Sequence, residues 1–110
     1  MKIENTKAQM RKGVLEYCIL GILSKGDAYA SDIIERLKGA ELIVVEGTLY
    51  PLLTRLKNAG LLEYRWEESN AGPPRKYYSL SAQGRAFLLE LKGTWENLNN
   101  AVEQLTSTPS

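Results

Sequence analysis

Histidine is absent from the 110 residues. That excludes a Ser-His-Asp or Cys-His nucleophile pair, an HExxH zinc site and any imidazole general base. A single cysteine, Cys18, excludes an internal disulfide framework and a zinc site built from several thiolates. Long apolar runs are missing too. Val14–Leu15 and Tyr17–Leu20 are broken by Glu16 and Gly21, far short of the ~20 residues of a membrane span. The opening Met1–Lys7 is polar and carries no secretory leader pattern. The expected setting is the reducing cytoplasm, with no metal, cofactor or membrane partner. No cluster of carboxylates and lysines stands in for the missing histidines, so catalysis is not expected. Charge of one sign is also scarce, the net being +1. Residues 1–12 and 47–66 lean basic and residues 81–110 lean acidic, which permits an anionic partner without demanding one.

What is present fits one compact domain, with 44% hydrophobic and 25% charged residues and no internal repeat. Residues 7–24 read as one helix, apolar on two faces: Met10, Val14 and Tyr17 on one, Leu15, Cys18, Ile19, Ile22 and Leu23 on the other. Gly26-Asp27 ends it. A short helix over 28–38 follows, capped by Asp27 or Ser31. Leu42–Val45 read as a brief extended segment. Glu46–Ala59 form a third helix, buried through Leu49, Leu52, Leu53 and Leu56 and stopped by Gly60. Pro51 is expected within its first turn. Then the period falls to two: Leu62, Tyr64 and Trp66 alternate with Glu63, Arg65 and Glu67. Ser69–Pro74 read as a turn and Lys76–Leu80 as the returning strand. Ser81 is the expected N-cap of a last helix to about Leu105, with a frayed tail beyond. This order predicts a mainly α fold with a small β-hairpin. It is a winged helix-turn-helix over 1–80 with a C-terminal dimerisation helix over 81–110, folded as one unit.

Two strings sharpen that reading. Glu46-Gly47-Thr48-Leu49-Tyr50-Pro51-Leu52-Leu53, with Arg55-Leu56 and Gly60-Leu61-Leu62, resembles the recognition helix of the PadR family of transcriptional regulators. Gly72-Pro73-Pro74-Arg75-Lys76-Tyr77-Tyr78-Ser79-Leu80, then Gly84, resembles its wing. The likeness covers roughly residues 10–105. Ala28-Tyr29 departs from the family's frequent Gly-Tyr, a small change. The single helix after the wing resembles the short form of the family, a branch that includes sensors of drugs and other flat aromatic compounds. The resemblance implies a dimeric DNA-binding repressor released by a small aromatic effector.

Residue chemistry adds its own weight. On the third helix Thr48, Tyr50, Pro51, Thr54, Arg55 and Asn58 turn away from the leucine face. No acid lies between Gly47 and Leu62, whereas an ordinary solvated face favours Glu and Lys. Hydroxyl, amide and guanidinium groups there suit base edges and phosphates. Arg75 and Lys76 beside the stiff Gly72-Pro73-Pro74 tip suit the DNA backbone or minor groove. On the last helix Leu88, Leu91, Trp95, Leu98, Val102 and Leu105 keep a strict 3-4 spacing, the seam of a coiled coil with a second copy. Trp95 either fills that dimer core or walls a slot where a planar aromatic or cationic molecule stacks. Leu91, Leu98, Asn99, Met10, Val14 and Tyr17 would line the slot. A twofold dimer implies a palindromic operator. The rival class is a winged-helix protein-interaction module without DNA binding, which should lack steep salt dependence.

Overall fold

The computed structural model describes residues Met1–Pro109. Its elements run α1 (Ile3–Lys12), α2 (Leu15–Ser24), β1 (Ala28–Tyr29), α3 (Ala30–Gly39), α4 (Glu46–Asn58), β2 (Leu62–Ser69), β3 (Gly72–Leu80) and α5 (Ala82–Thr106). The strands form one antiparallel sheet in the order β1-β3-β2. Helices α2, α3 and α4 pack over it. Ile19, Leu20 and Leu23 of α2, Ile33 and Leu37 of α3, and Leu49, Leu53 and Leu56 of α4 meet Leu62, Tyr78 and Leu80 of the sheet. This is the winged helix-turn-helix with a long C-terminal helix that the periodicity predicts. No helix among the described residues is long and apolar enough to cross a membrane.

Several local expectations give way. The single helix over 7–24 is two helices. Val14 N–H turns back to the Arg11 carbonyl (3.1 Å), a tight i−3 closure, and Cys18 N–H restarts the ladder on Val14 (3.0 Å). Glycine beside a β-branched residue is a weak spot in any helix. Met10 therefore belongs to α1, which buries none of its residues, while Tyr17 belongs to α2. The second helix starts two residues late because Ala28 and Tyr29 pair with Tyr78 and Tyr77 as a third strand. Neither Asp27 nor Ser31 caps it; the Asp32 carboxylate accepts from Tyr29 N–H (3.0 Å). Leu42–Val45 form no strand, and only Val44 is buried there. Pro51 is the sixth residue of α4, past the first turn. Its missing N–H would have met the Gly47 carbonyl, and Gly47 is exposed, which leaves that group open to solvent.

The hairpin is longer than its sequence punctuation implies. Strands continue to Ser69 and resume at Gly72, leaving Asn70-Ala71 as the tip. Pro73 and Pro74 sit inside β3 where the register shifts between Glu67 and Ser69, so neither breaks the ladder. Trp66 is 61% exposed and lies on the wing face, outside the core. Cys18 is only half-buried. Of the tail, Thr106 is still helical, Ser107–Pro109 are irregular, and Ser110 lies outside the described residues.

One junction fixes the last helix to the rest. Ser81 caps α5 by accepting from Gly84 N–H (2.9 Å) and donates to the Gly60 carbonyl (2.7 Å) at the end of α4. Its own N–H donates to the Leu61 carbonyl (3.1 Å). At Gly84 a methyl group would overlap the Leu61 carbonyl oxygen and crowd the Leu80 side chain. From there α5 runs 25 residues, and the molecule measures 59 × 32 × 21 Å.

Candidate nucleic-acid interface

The leucines of α4 decide what the helix presents. With Leu49, Leu53 and Leu56 pinned to the core, Thr48, Tyr50, Pro51, Thr54, Arg55 and Asn58 are all exposed, as the wheel predicts. Its two flanks face different neighbours. Glu46 and Tyr50 border the wing across a cleft of about 390 Å³. Thr48, Pro51 and Leu52 border the end of α1. Arg55 is not free as the sequence implies: its guanidinium lies 3.4 Å from the Glu16 carboxylate of α2. The arginine side chain is 74% exposed, so such a pair contributes under ~1 kcal/mol and exchanges readily for a stronger anion.

The three wing cations divide by their partners. Arg65 is neutralised: it bonds Glu67 (2.7 Å) and Asp27 (3.2 Å) and stacks on Tyr77. Those two carboxylates, Glu67 first, hold its proton more tightly than usual. Arg75 and Lys76 have no acidic partner among the described residues. Arg75 donates to Ser31 Oγ (2.6 Å) and lies 4.0 Å over the Tyr29 ring. Lys76 Nζ sits 4.6 Å from the Tyr64 ring centre and 5.6 Å from that of Trp66. Aromatic faces and a hydroxyl orient a cation without cancelling its charge. Lys57 of α4 also approaches the Tyr64 ring, at 5.7 Å. The floor of the cleft is Tyr78, whose phenol is pushed above its ordinary value by burial and then by Tyr50 and Tyr64. It stays a neutral hydroxyl at physiological pH.

Tyr29, Ser31, Lys57 and Trp66 thus join the surface that the sequence assigns to α4 and Arg75-Lys76 alone. The pairing of β1 with β3 brings Tyr29 and Ser31 there, and no local period marks so short a strand.

The other predicted site lies along α5. Leu88 and Leu91 lean on the chain's own core. Trp95, Leu98, Val102 and Leu105 are open, at 40%, 54%, 45% and 85% exposure, and Asn99 is exposed. The Tyr17 ring stands 6.5 Å from that of Trp95. Val14 is half-buried at the α1–α2 junction, and Met10 is 71% exposed on α1. So Tyr17 of α2 and Trp95 of α5 are brought together, whereas Met10 belongs to the separate helix α1.

Comparison with known proteins agrees with this architecture. Residues 19–90 match the model of the transcriptional regulator PadR-like family. The chain is 63% identical to a PadR-like transcription factor from Bacteroides fragilis, with 93% of this chain and 99% of that one covered and a TM-score of 0.78. It is 37% identical to a PadR-like transcriptional regulator from Bacillus cereus, covering 92% and 99%, with a TM-score of 0.79. A PadR family transcriptional regulator from Eggerthella lenta is 29% identical and covers 97% and 94%, with a TM-score of 0.84.

Proposed function

The chain belongs to the PadR-like family of transcriptional regulators, and from that premise we propose that this DNA-binding regulator is a homodimeric repressor with a palindromic operator. The observation that carries the reading is the outward face of α4, without an acid from Gly47 to Asn58, beside Arg75 and Lys76, two cations held in place with no carboxylate in salt-bridge contact among the described residues. Residues 1–80 form the DNA-binding part, and α5, which follows them, is the dimerisation helix. Helix α4 enters the major groove, where Tyr50, Thr54 and Asn58 meet base edges and Arg55 leaves Glu16 for a base or phosphate. The wing takes the backbone through Arg75 and Lys76. The open α5 seam from Trp95 to Leu105 packs on a second copy. Repression is passive: the dimer occupies the promoter.

Release requires a ligand that prefers one pose of the two recognition helices. Trp95 and Tyr17 offer aromatic faces to a planar aromatic or cationic compound. The route to α4 is short. The Tyr17 ring stands 6.5 Å from that of Trp95, and the adjacent Glu16 competes with DNA for Arg55. A ligand that displaces Tyr17 moves α2 and, with it, the recognition helix.

Selection of bound sequences from a random DNA pool by the purified protein tests this. A recovered palindrome is the expected result. Arg55→Ala and Tyr50→Ala should each weaken operator binding by roughly 1–3 kcal/mol if they contact bases. No enrichment of any sequence, with binding insensitive to salt, would leave the fold as a protein-interaction module.

A further inference from the structure

A helix about 10–12 Å across fills a major groove about 12 Å wide. A phosphate backbone therefore runs along each of its flanks. The wing flanks α4 on one side only. On the other side, the last turn of α1 and the α3–α4 connection frame a groove of about 590 Å³ against Thr48 and Pro51. Arg11 and Lys12 line it, and no acid does. Ile43 and Val45, 70% and 67% exposed, form its apolar wall. Helix α1 buries none of its residues, so core packing does not account for it.

We propose that the end of α1 is a second phosphate-binding flank, the counterpart of the wing across the recognition helix. Arg11 and Lys12 bind backbone phosphates, and Ile43 and Val45 pack on the neighbouring deoxyribose. The groove is continuous with the outward face of α4 through Thr48 and Pro51, and its charge is complementary to DNA. The proposal rests on α4 reading the major groove. Its ligand is the sugar–phosphate backbone, so it adds affinity without sequence preference.

The test is Arg11→Gln with Lys12→Gln in the full chain, which removes both charges while keeping polar side chains of good helix propensity. Affinity for a mixed-sequence duplex and for the selected operator is measured over a salt series. Two lost phosphate contacts should flatten the log–log slope by about 1.8 per bound protomer, equally on both duplexes. Arg11→Lys alone should keep the wild-type slope. Lys25→Ala with Lys92→Ala removes the same charge at the α2–α5 cleft, away from the groove, and should leave the slope unchanged. A glutamine variant with the wild-type slope, or one matched by the Lys25/Lys92 variant, overturns the proposal. So does a glutamine variant whose copies separate in sedimentation while its DNA slope is unchanged, for then the groove seats a second chain. Wild-type protein that fails to bind either duplex refutes the DNA-binding reading itself.

Discussion

Replacing Ser81 with alanine isolates the junction between the recognition helix, the wing and α5. Serine makes three bonds there: it accepts from Gly84 N–H, donates to the Gly60 carbonyl and donates its own N–H to Leu61. Alanine keeps only the last. Loss of an N-cap costs about 1 kcal/mol. The residue is 8% exposed, so the Gly60 carbonyl gains little water in return, adding about 1–2 kcal/mol. The sum is about 2–3 kcal/mol. With an unfolding entropy near 2.1 cal/mol/K for each of 110 residues, that lowers Tm by about 9–13 °C. Thermal and urea unfolding should be run at one fixed protein concentration, since association of copies adds its own stabilisation. Ser81→Thr retains donor and acceptor and should keep most of the stability. An alanine variant within about 0.5 kcal/mol of wild type, or a threonine variant as damaged as alanine, would refute the reasoning.

Other consequences are as direct. Arg75→Ala with Lys76→Ala should weaken binding to all duplexes alike and flatten the salt slope by about 1.8 per protomer; a loss confined to one base pair would assign base reading to the wing. Trp95→Leu suits the α5 seam and should preserve the dimer while abolishing indole quenching by planar dyes. Unchanged dye affinity in that dimer would move the effector site elsewhere. Burial raises the Cys18 thiol and the Tyr78 phenol above their ordinary values. The unfolded chain releases those protons first, so stability should fall only as pH climbs past the ordinary thiol and phenol ranges. With no histidine in the chain, no imidazole step is expected between pH 5 and 8, which urea unfolding across pH would check.

The sequence was most legible where a period is long and one face is buried. The leucines of α4 placed that helix and its outward residues correctly, and the alternation of Leu62 and Tyr64 with Glu63 and Arg65 placed β2, although Trp66, on the expected inner face, is exposed. Ser81 announced its cap. Legibility failed where the deciding partner is distant along the chain. Ala28-Tyr29 become a strand only because Tyr78 and Tyr77 arrive beside them, 50 and 48 positions away along the chain. That same pairing delivers Ser31 and Tyr29 to Arg75, so the clamp on the wing was equally hidden. The break at Gly13-Val14 was masked by apolar residues that continue the helical spacing through it. Arg55 looked unpaired because Glu16 comes from another helix.

Gly84 turns α5 into a lever with a fixed fulcrum. Nothing larger than hydrogen fits between that residue and Leu61, so the helix cannot slide or be shimmed at its base. A lever of 25 residues is ~37 Å long, and a tilt of ~5° at the fulcrum swings its tip by ~3 Å. The converse holds for the heads. In the proposed homodimer, where two such levers cross would set the spacing between their recognition helices, and moving the crossing by one turn of seam residues would rescale the half-site separation. Operator spacing is then written along α5, far from any residue that touches a base.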